Sequence, residues 1–111
     1  MPIPTKYKYD GKPYIEIAGE RARARTEVPA ELAQYAEDAE VLLAAKIVRE
    51  LAIIKKGRPF MLSAAKMGKA AGSNDFGGRW VLDLLVKDGI IARGEQGPYG
   101  YEYTYLHPLP V

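Results

Sequence analysis

Residues 60–106 change hydrophobic period three times, and the punctuation at each change leaves few folds open. FMLSAAKMGKAAG, SNDFGGRWVLDLLVKDG and IIARGEQGPYGYEYTYL follow one another without a gap. The first reads as a short strand and then a helix capped by Ser63 and stopped by Gly72. A serine oxygen accepts from a free N–H at a helix start, and glycine takes the left-handed conformation that ends a helix. Ala64, Ala65, Met67, Ala70 and Ala71 give that helix a small apolar surface, suited to a close crossing. The second reads as a helix capped by Asn74 or Asp75 and stopped by Gly89. At about 100° per residue, Val81, Leu84, Leu85 and Asp88 share an inner arc, with Gly77 and Trp80 at its edges. Arg79, Leu82, Asp83 and Val86 share the opposite, outer arc. The third stretch reads as two antiparallel strands, 90–93 and 101–106, around the tip GEQGPYG.

Upstream, residues 1–28 read as a hairpin or arm. YKYDGKPYIEI places two β-prone runs around Asp10-Gly11, which suits a type I′ turn. If GERARART is extended, Arg21, Arg23 and Arg25 fall on one side, because strand side chains alternate. Such an arm suits contact with phosphates or a solvated linker equally well. From Thr26 and Pro29 onward a helix is expected, about 28 residues long if unbroken, with a break open at Glu37-Asp38 and a stop at Gly57 and Pro59. Its second half, residues 41–54, is apolar on nearly every side. A helix packed on one side needs only a stripe. The sleeve therefore predicts cover from two directions: the chain's own core, and either the N-terminal hairpin or a second copy in a homodimer.

A chain of 111 residues is long enough to bury one core without metals or disulfides, and it has no cysteine. No apolar run reaches the length of a membrane span and the first residues lack the apolar core of a secretion signal, so a cytoplasmic protein is expected. The net charge is only +2. Its distribution is uneven: positions 46–79 hold eight bases against Glu50 and Asp75. His107 is the sole histidine, so no metal spacing exists. No serine stands in a triad pattern, and the glycines between Gly68 and Gly78 lack the lysine–threonine pair of a phosphate loop. Neither catalysis, nor a metal, nor a cofactor is expected.

The three quoted stretches resemble the winged helix-turn-helix domains of bacterial and phage type, a likeness covering about half of the chain. FMLSAAKMGKAAG is similar to their strand and Ser-capped first helix, WVLDLLVKDGIIARGE to their recognition helix and following strand, and GYEYTYL to their returning wing strand. A similar layout occurs in domains attached to plasmid and phage replication proteins and primases. The resemblance implies an α+β fold over 29–111, with a long preceding helix and a β-hairpin wing, and double-stranded DNA as partner. It departs from the pattern at Gly77-Gly78, which open the second helix, and at Leu82 and Val86 on the outer arc, where a DNA-reading face is polar.

The residues expected at DNA follow from that layout. Ser73, Asn74, Gly78 and Arg79 occupy the end of the reading helix that meets base edges, where arginine pairs with guanine and asparagine with adenine. Arg58, Lys66 and Lys69 would hold phosphates, and Arg93, Gln96 and Tyr99 on the wing would reach an adjacent groove or backbone. For Asn74 the plainer role is a helix cap. Tyr101, Tyr103 and Tyr105 alternate and share a face, which suits packing better than stacking on bases. Two functions stand: a DNA-binding regulator or replication accessory of a mobile element, or a winged-helix module that binds protein, as an adaptor or a phage-encoded inhibitor does. Leu82 and Val86 favour the second, and the basic window favours the first.

Overall fold

The computed structural model describes residues 13–110. Among them are five helices and one three-stranded antiparallel sheet, a mixed α+β architecture. In chain order these are α1 (Tyr14–Ala24), a 3-10 helix (Ala30–Tyr35), α2 (Ala39–Ile54), β1 (Phe60–Leu62), α3 (Ala64–Ala70), α4 (Asp75–Lys87), β2 (Ile91–Gly97) and β3 (Gly100–Tyr105). β3 is central, pairing with β1 in register Phe60 to Tyr103 and with β2 in register Ile91 to Tyr105.

α2 is the hub, and its cover settles the apolar sleeve. Val41, Ala44, Ala45, Ile47, Val48, Leu51 and Ala52 are all buried, and α1, the 3-10 helix, α3, α4 and β3 pack around them. The second side of the sleeve is therefore covered within the chain, chiefly by α1 through Ala18 and Ala22. Burying Ile47 and Val48 contributes on the order of 1.5–3 kcal/mol each.

That packing overturns the extended reading of residues 14–25. Tyr14–Ala24 is helical, so Arg21 and Arg23 do not line one side of a strand. The β-prone YIEI turns helical because Ile17, Ala18 and Ala22 then form one buried stripe against α2, and tertiary burial outweighs a weak local preference. The first strand of the expected hairpin lies outside the described residues. The long helix breaks where the acids permit it. Residues 36–38 separate the 3-10 helix from α2, and Asp38 caps α2 by accepting from the Val41 N–H at 3.2 Å. The helix expected from Thr26 onward begins only at Ala30, directly after Pro29.

Two tyrosines lock the 3-10 helix in place. Tyr35 donates to Asp88 at the end of α4 at 2.7 Å, and Tyr105 on β3 donates to Glu31 at 2.6 Å. Burial pushes the Glu31 carboxyl up, but the Tyr105 hydroxyl, a backbone N–H and the Arg49 charge together hold it below its ordinary 4.5. Burial and the same carboxylate push the Tyr105 phenol well up. A carboxyl with a depressed pKa stabilises the fold above its unfolded value, and that contribution is lost as pH falls through the folded one. Among the described residues no helix is long and apolar enough to cross a membrane.

Two outcomes are expected. Tyr105→Phe lowers stability at neutral pH by about 1–2 kcal/mol and flattens the loss of stability below pH 4.5, measured by urea unfolding across pH. Leu85→Ala, at a fully buried site, costs about 2–5 kcal/mol in the same measurement, and a loss below about 1 kcal/mol would contradict the packing of α4.

Candidate nucleic-acid interface

α3 and α4 cross backbone to backbone. Ser63 caps α3 by accepting from the Lys66 N–H at 3.1 Å, and Asn74 caps α4 by accepting from the Gly77 N–H at 2.9 Å. Between them Gly72 turns the chain at φ 77°. A Cβ on Gly68 would lie 1.9 Å from the Asn74 carbonyl oxygen, and one on Gly78 would lie 2.0 Å from the Ala64 carbonyl oxygen. No side chain fits at either position, so both glycines are there for contact between helices. Gly78 is buried, and is not a point of open backbone for DNA to approach.

The same contact fixes the rotation of α4 and corrects its two arcs. Gly78, Val81, Leu82 and Leu85 form the buried face, with Leu84 and Val86 half-buried beside it. Leu82, expected outside, is 1% exposed, and Trp80, expected near the core, is 53% exposed. The residues α4 offers to solvent are Asp75, Phe76, Arg79, Trp80, Asp83 and Lys87. Phe76 stands out at 81% exposed.

Beside this face runs the hairpin. β2 and β3 continue to Gly97 and from Gly100, so the tip is shorter than expected and consists of Pro98 and Tyr99. A bulge between Arg93 and Gln96 sets Gly94 and Glu95 against Glu102 and twists the hairpin. A groove of about 920 Å³ separates it from the helices. Phe76, Arg79 and Asp83 of α4 form one wall, Arg93, Gln96 and Tyr101 the other, and the start of α3 closes the end. A smaller cleft of about 330 Å³ lies on the other side, where Trp80 faces Asp38 and Glu40 at the start of α2.

Of the residues expected at DNA, Arg79 and Gln96 are exposed in the large groove, and Lys66, Lys69 and Ser73 are exposed along α3 and the turn after it. Asn74 serves as the cap. Tyr99 is exposed at the hairpin tip. Arg58 sits past the end of α2, donates to the Lys55 carbonyl at 2.9 Å, and is not part of the groove.

Arg93 lines the groove but is already engaged. It pairs with Asp83 at 2.6 Å, donates to the Tyr103 hydroxyl at 3.2 Å, and lies 5.0 Å from the Tyr101 ring centroid. Burial pushes the Tyr103 phenol up, so it remains a neutral acceptor for that bond. Of the tyrosine row, Tyr103 and Tyr105 are buried as expected, while Tyr101 is exposed in the groove.

Sequence reasoning passed over Phe76 and the Asp83–Arg93 clamp. A signal for both was present: Phe76, Arg79 and Asp83 follow i, i+3, i+7 spacing, one face of a helix. Among the described residues no three metal-ligating side chains cluster. No family model, no curated protein and no solved structure matches this chain.

The clamp ties the hairpin to α4, and its removal should loosen the hairpin without unfolding the domain. Arg93→Ala is expected to cost under about 1 kcal/mol globally, as for a partly exposed pair. Amide exchange over residues 94–99 should quicken markedly in that variant. Unchanged exchange there would mean that the strand pairing alone holds the hairpin.

Proposed function

We propose that the chain is a non-enzymatic, cytoplasmic DNA-binding protein that sets α4 into the major groove and lays the β2–β3 hairpin alongside. The observation that carries this reading is how the cations divide. Arg23, Arg25, Lys46, Arg49, Lys55, Arg58 and Arg93 are all engaged within the fold, by carbonyls, carboxylates or a ring. Among the described residues, Lys56, Lys66, Lys69, Arg79 and Lys87 have no such partner. Four of these five lie on α3 and α4.

The order of elements supports the same reading. A helix, a strand, two crossed helices and a hairpin, with the returning strand central in the sheet, is the layout of the winged helix-turn-helix proteins that the sequence resembles. Leu82 is buried, which removes the apolar obstacle expected on the reading face. Lys66 and Lys69 then hold phosphates, while Arg79, with Gln96 opposite, meets base edges. With the α2 sleeve covered from within, the reading needs one copy of the chain per site and no homodimer. A regulator or a replication accessory of a mobile element is the role that this chemistry fits.

One observation favours the second reading, a protein-binding module. Exposed phenylalanine and tryptophan on one helix are typical anchors of protein interfaces. In addition, residues 63–105 carry five bases matched by five acids.

Duplex binding measured against salt separates the two. Lys66→Ala and Lys69→Ala should each weaken all sequences alike and lower the salt slope by about one. Arg79→Ala should relax discrimination at one base position by about 1–3 kcal/mol, with little effect on non-specific affinity. No binding at low salt, or binding indifferent to all three changes, favours the protein-binding module.

A further inference from the structure

Phe76 is the second residue of α4 and the most exposed large apolar side chain among the described residues, at 81%. Its exposure is built into the fold. The Asn74 cap on the Gly77 N–H and the contact of Gly78 with the Ala64 carbonyl fix the rotation of the first turn of α4. Gly78 takes the side toward α3, and Phe76 is turned into the large groove, on the same wall as Arg79. Arg79 follows three residues later, exposed and without a partner in the fold. Asp75, directly before Phe76, lines the groove as well. Its carboxylate repels a phosphate, so this first turn suits base edges better than the DNA backbone. Trp80, the other exposed ring of α4, borders a different cleft.

We infer that Phe76 reads a methyl group in the major groove, that of a thymine in the base pair next to the guanine met by Arg79. The inference rests on the DNA-binding reading and adds a specificity-determining contact to it. Of the groups that base pairs display in the major groove, the thymine methyl is the apolar one, and the rest are donors and acceptors. A phenyl ring laid over those others would bury polar atoms without partners, which is costly. Phe76 therefore favours thymine both by attraction and by exclusion. Side chains three residues apart on a helix stand roughly 5–6 Å apart at their Cβ atoms. Successive base pairs are about 3.4 Å apart along the duplex. Phe76 and Arg79 thus fall on neighbouring base pairs and not on one. Taking one methyl group out of water is worth about three- to fourfold in affinity.

The test selects preferred sites for the full chain from duplexes randomised at their centre. Each thymine of the selected site is then replaced singly with deoxyuracil, which removes the methyl and leaves every hydrogen-bonding group in place. One replacement, in the base pair next to the guanine whose preference Arg79→Ala relaxes, is expected to weaken binding about three- to fourfold. In Phe76→Ala the same replacement should change nothing. In Phe76→Leu, which keeps an apolar contact, it should still weaken binding. Phe76 is exposed, so both variants should fold, and an unchanged Tm checks this. Equal binding of uracil and thymine overturns the inference, leaving the DNA-binding reading in place and Phe76 a solvated side chain. A penalty that persists in Phe76→Ala also overturns it, since another group then meets the methyl. The same holds for a selection that yields no thymine beside that guanine, or no preference at all. No binding of any duplex at low salt overturns the inference together with the reading it rests on, and makes Phe76 an anchor for protein.

Discussion

Everything on the exposed side of this protein depends on two glycines that let one helix lie directly on another. Gly68 meets the Asn74 carbonyl and Gly78 meets the Ala64 carbonyl at distances no Cβ allows. Once these backbones touch, α4 has no rotational freedom about its axis. Val81, Leu82 and Leu85 must then enter the core, and Phe76, Arg79, Trp80 and Asp83 must leave it. The Asp83–Arg93 clamp hands the same constraint on to the hairpin, so the spacing between helix and hairpin follows from a contact between main chains. Glycine in a helix costs roughly 1 kcal/mol against alanine, and α4 spends that at Gly78 on closeness.

The charge pattern shows what position alone cannot. In sequence, positions 46–79 look like one basic tract. In the fold the tract divides. Lys46 turns to the Arg25 carbonyl after α1 and Arg49 to the Glu31 carboxylate, while Lys66, Lys69 and Arg79 stay in solvent. A cation held against a carboxylate, as Arg49 is by Glu31, adds little to the field at a distant polyanion, and one tied to a carbonyl or a ring, as Lys46, Lys55 and Arg58 are, is less free to reach a phosphate. Of the eight bases in that tract, four, Lys56, Lys66, Lys69 and Arg79, are therefore left free to meet a phosphate.

What could be read from sequence was local. The caps at Ser63 and Asn74, the left-handed stops at Gly72 and Gly89, the break before Ala39 and the order of strands all arise from interactions a few residues long, and all are present. What could not be read was set at a distance. α1 is a helix because α2 offers it a face, which YIEI does not announce. The phase of α4 was misjudged by about one position. Periodicity counts large apolar side chains, and Leu84 pulled the inferred arc toward itself. The decisive contact is made by Gly78, a residue with no side chain to count. Including Gly78 gives 78, 81, 82 and 85, a regular helical stripe. The groove residues depended on that phase, so Arg79 was placed outside while Phe76 was not considered. Arg93 looked free because its partner Asp83 lies on another element.

The two aromatic residues that α4 exposes stand on chemically different ground. Phe76 faces the groove shared with Arg79 and Gln96, where two acids, Asp75 and Asp83, stand against two bases, Arg79 and Arg93, and Asp83 is paired with Arg93. Trp80 faces the cleft bordered by Asp38 and Glu40, with no cation on its walls. Phosphate is repelled by the second side, which has two acids and no base, and not by the first, where the charges balance. For the proposed reading, a duplex therefore approaches α4 from the hairpin side, with Phe76 and not Trp80 against it. An apolar ring beside Arg79 suits a thymine methyl next to a guanine. On that reading the acidic cleft leaves Trp80 clear of the nucleic acid.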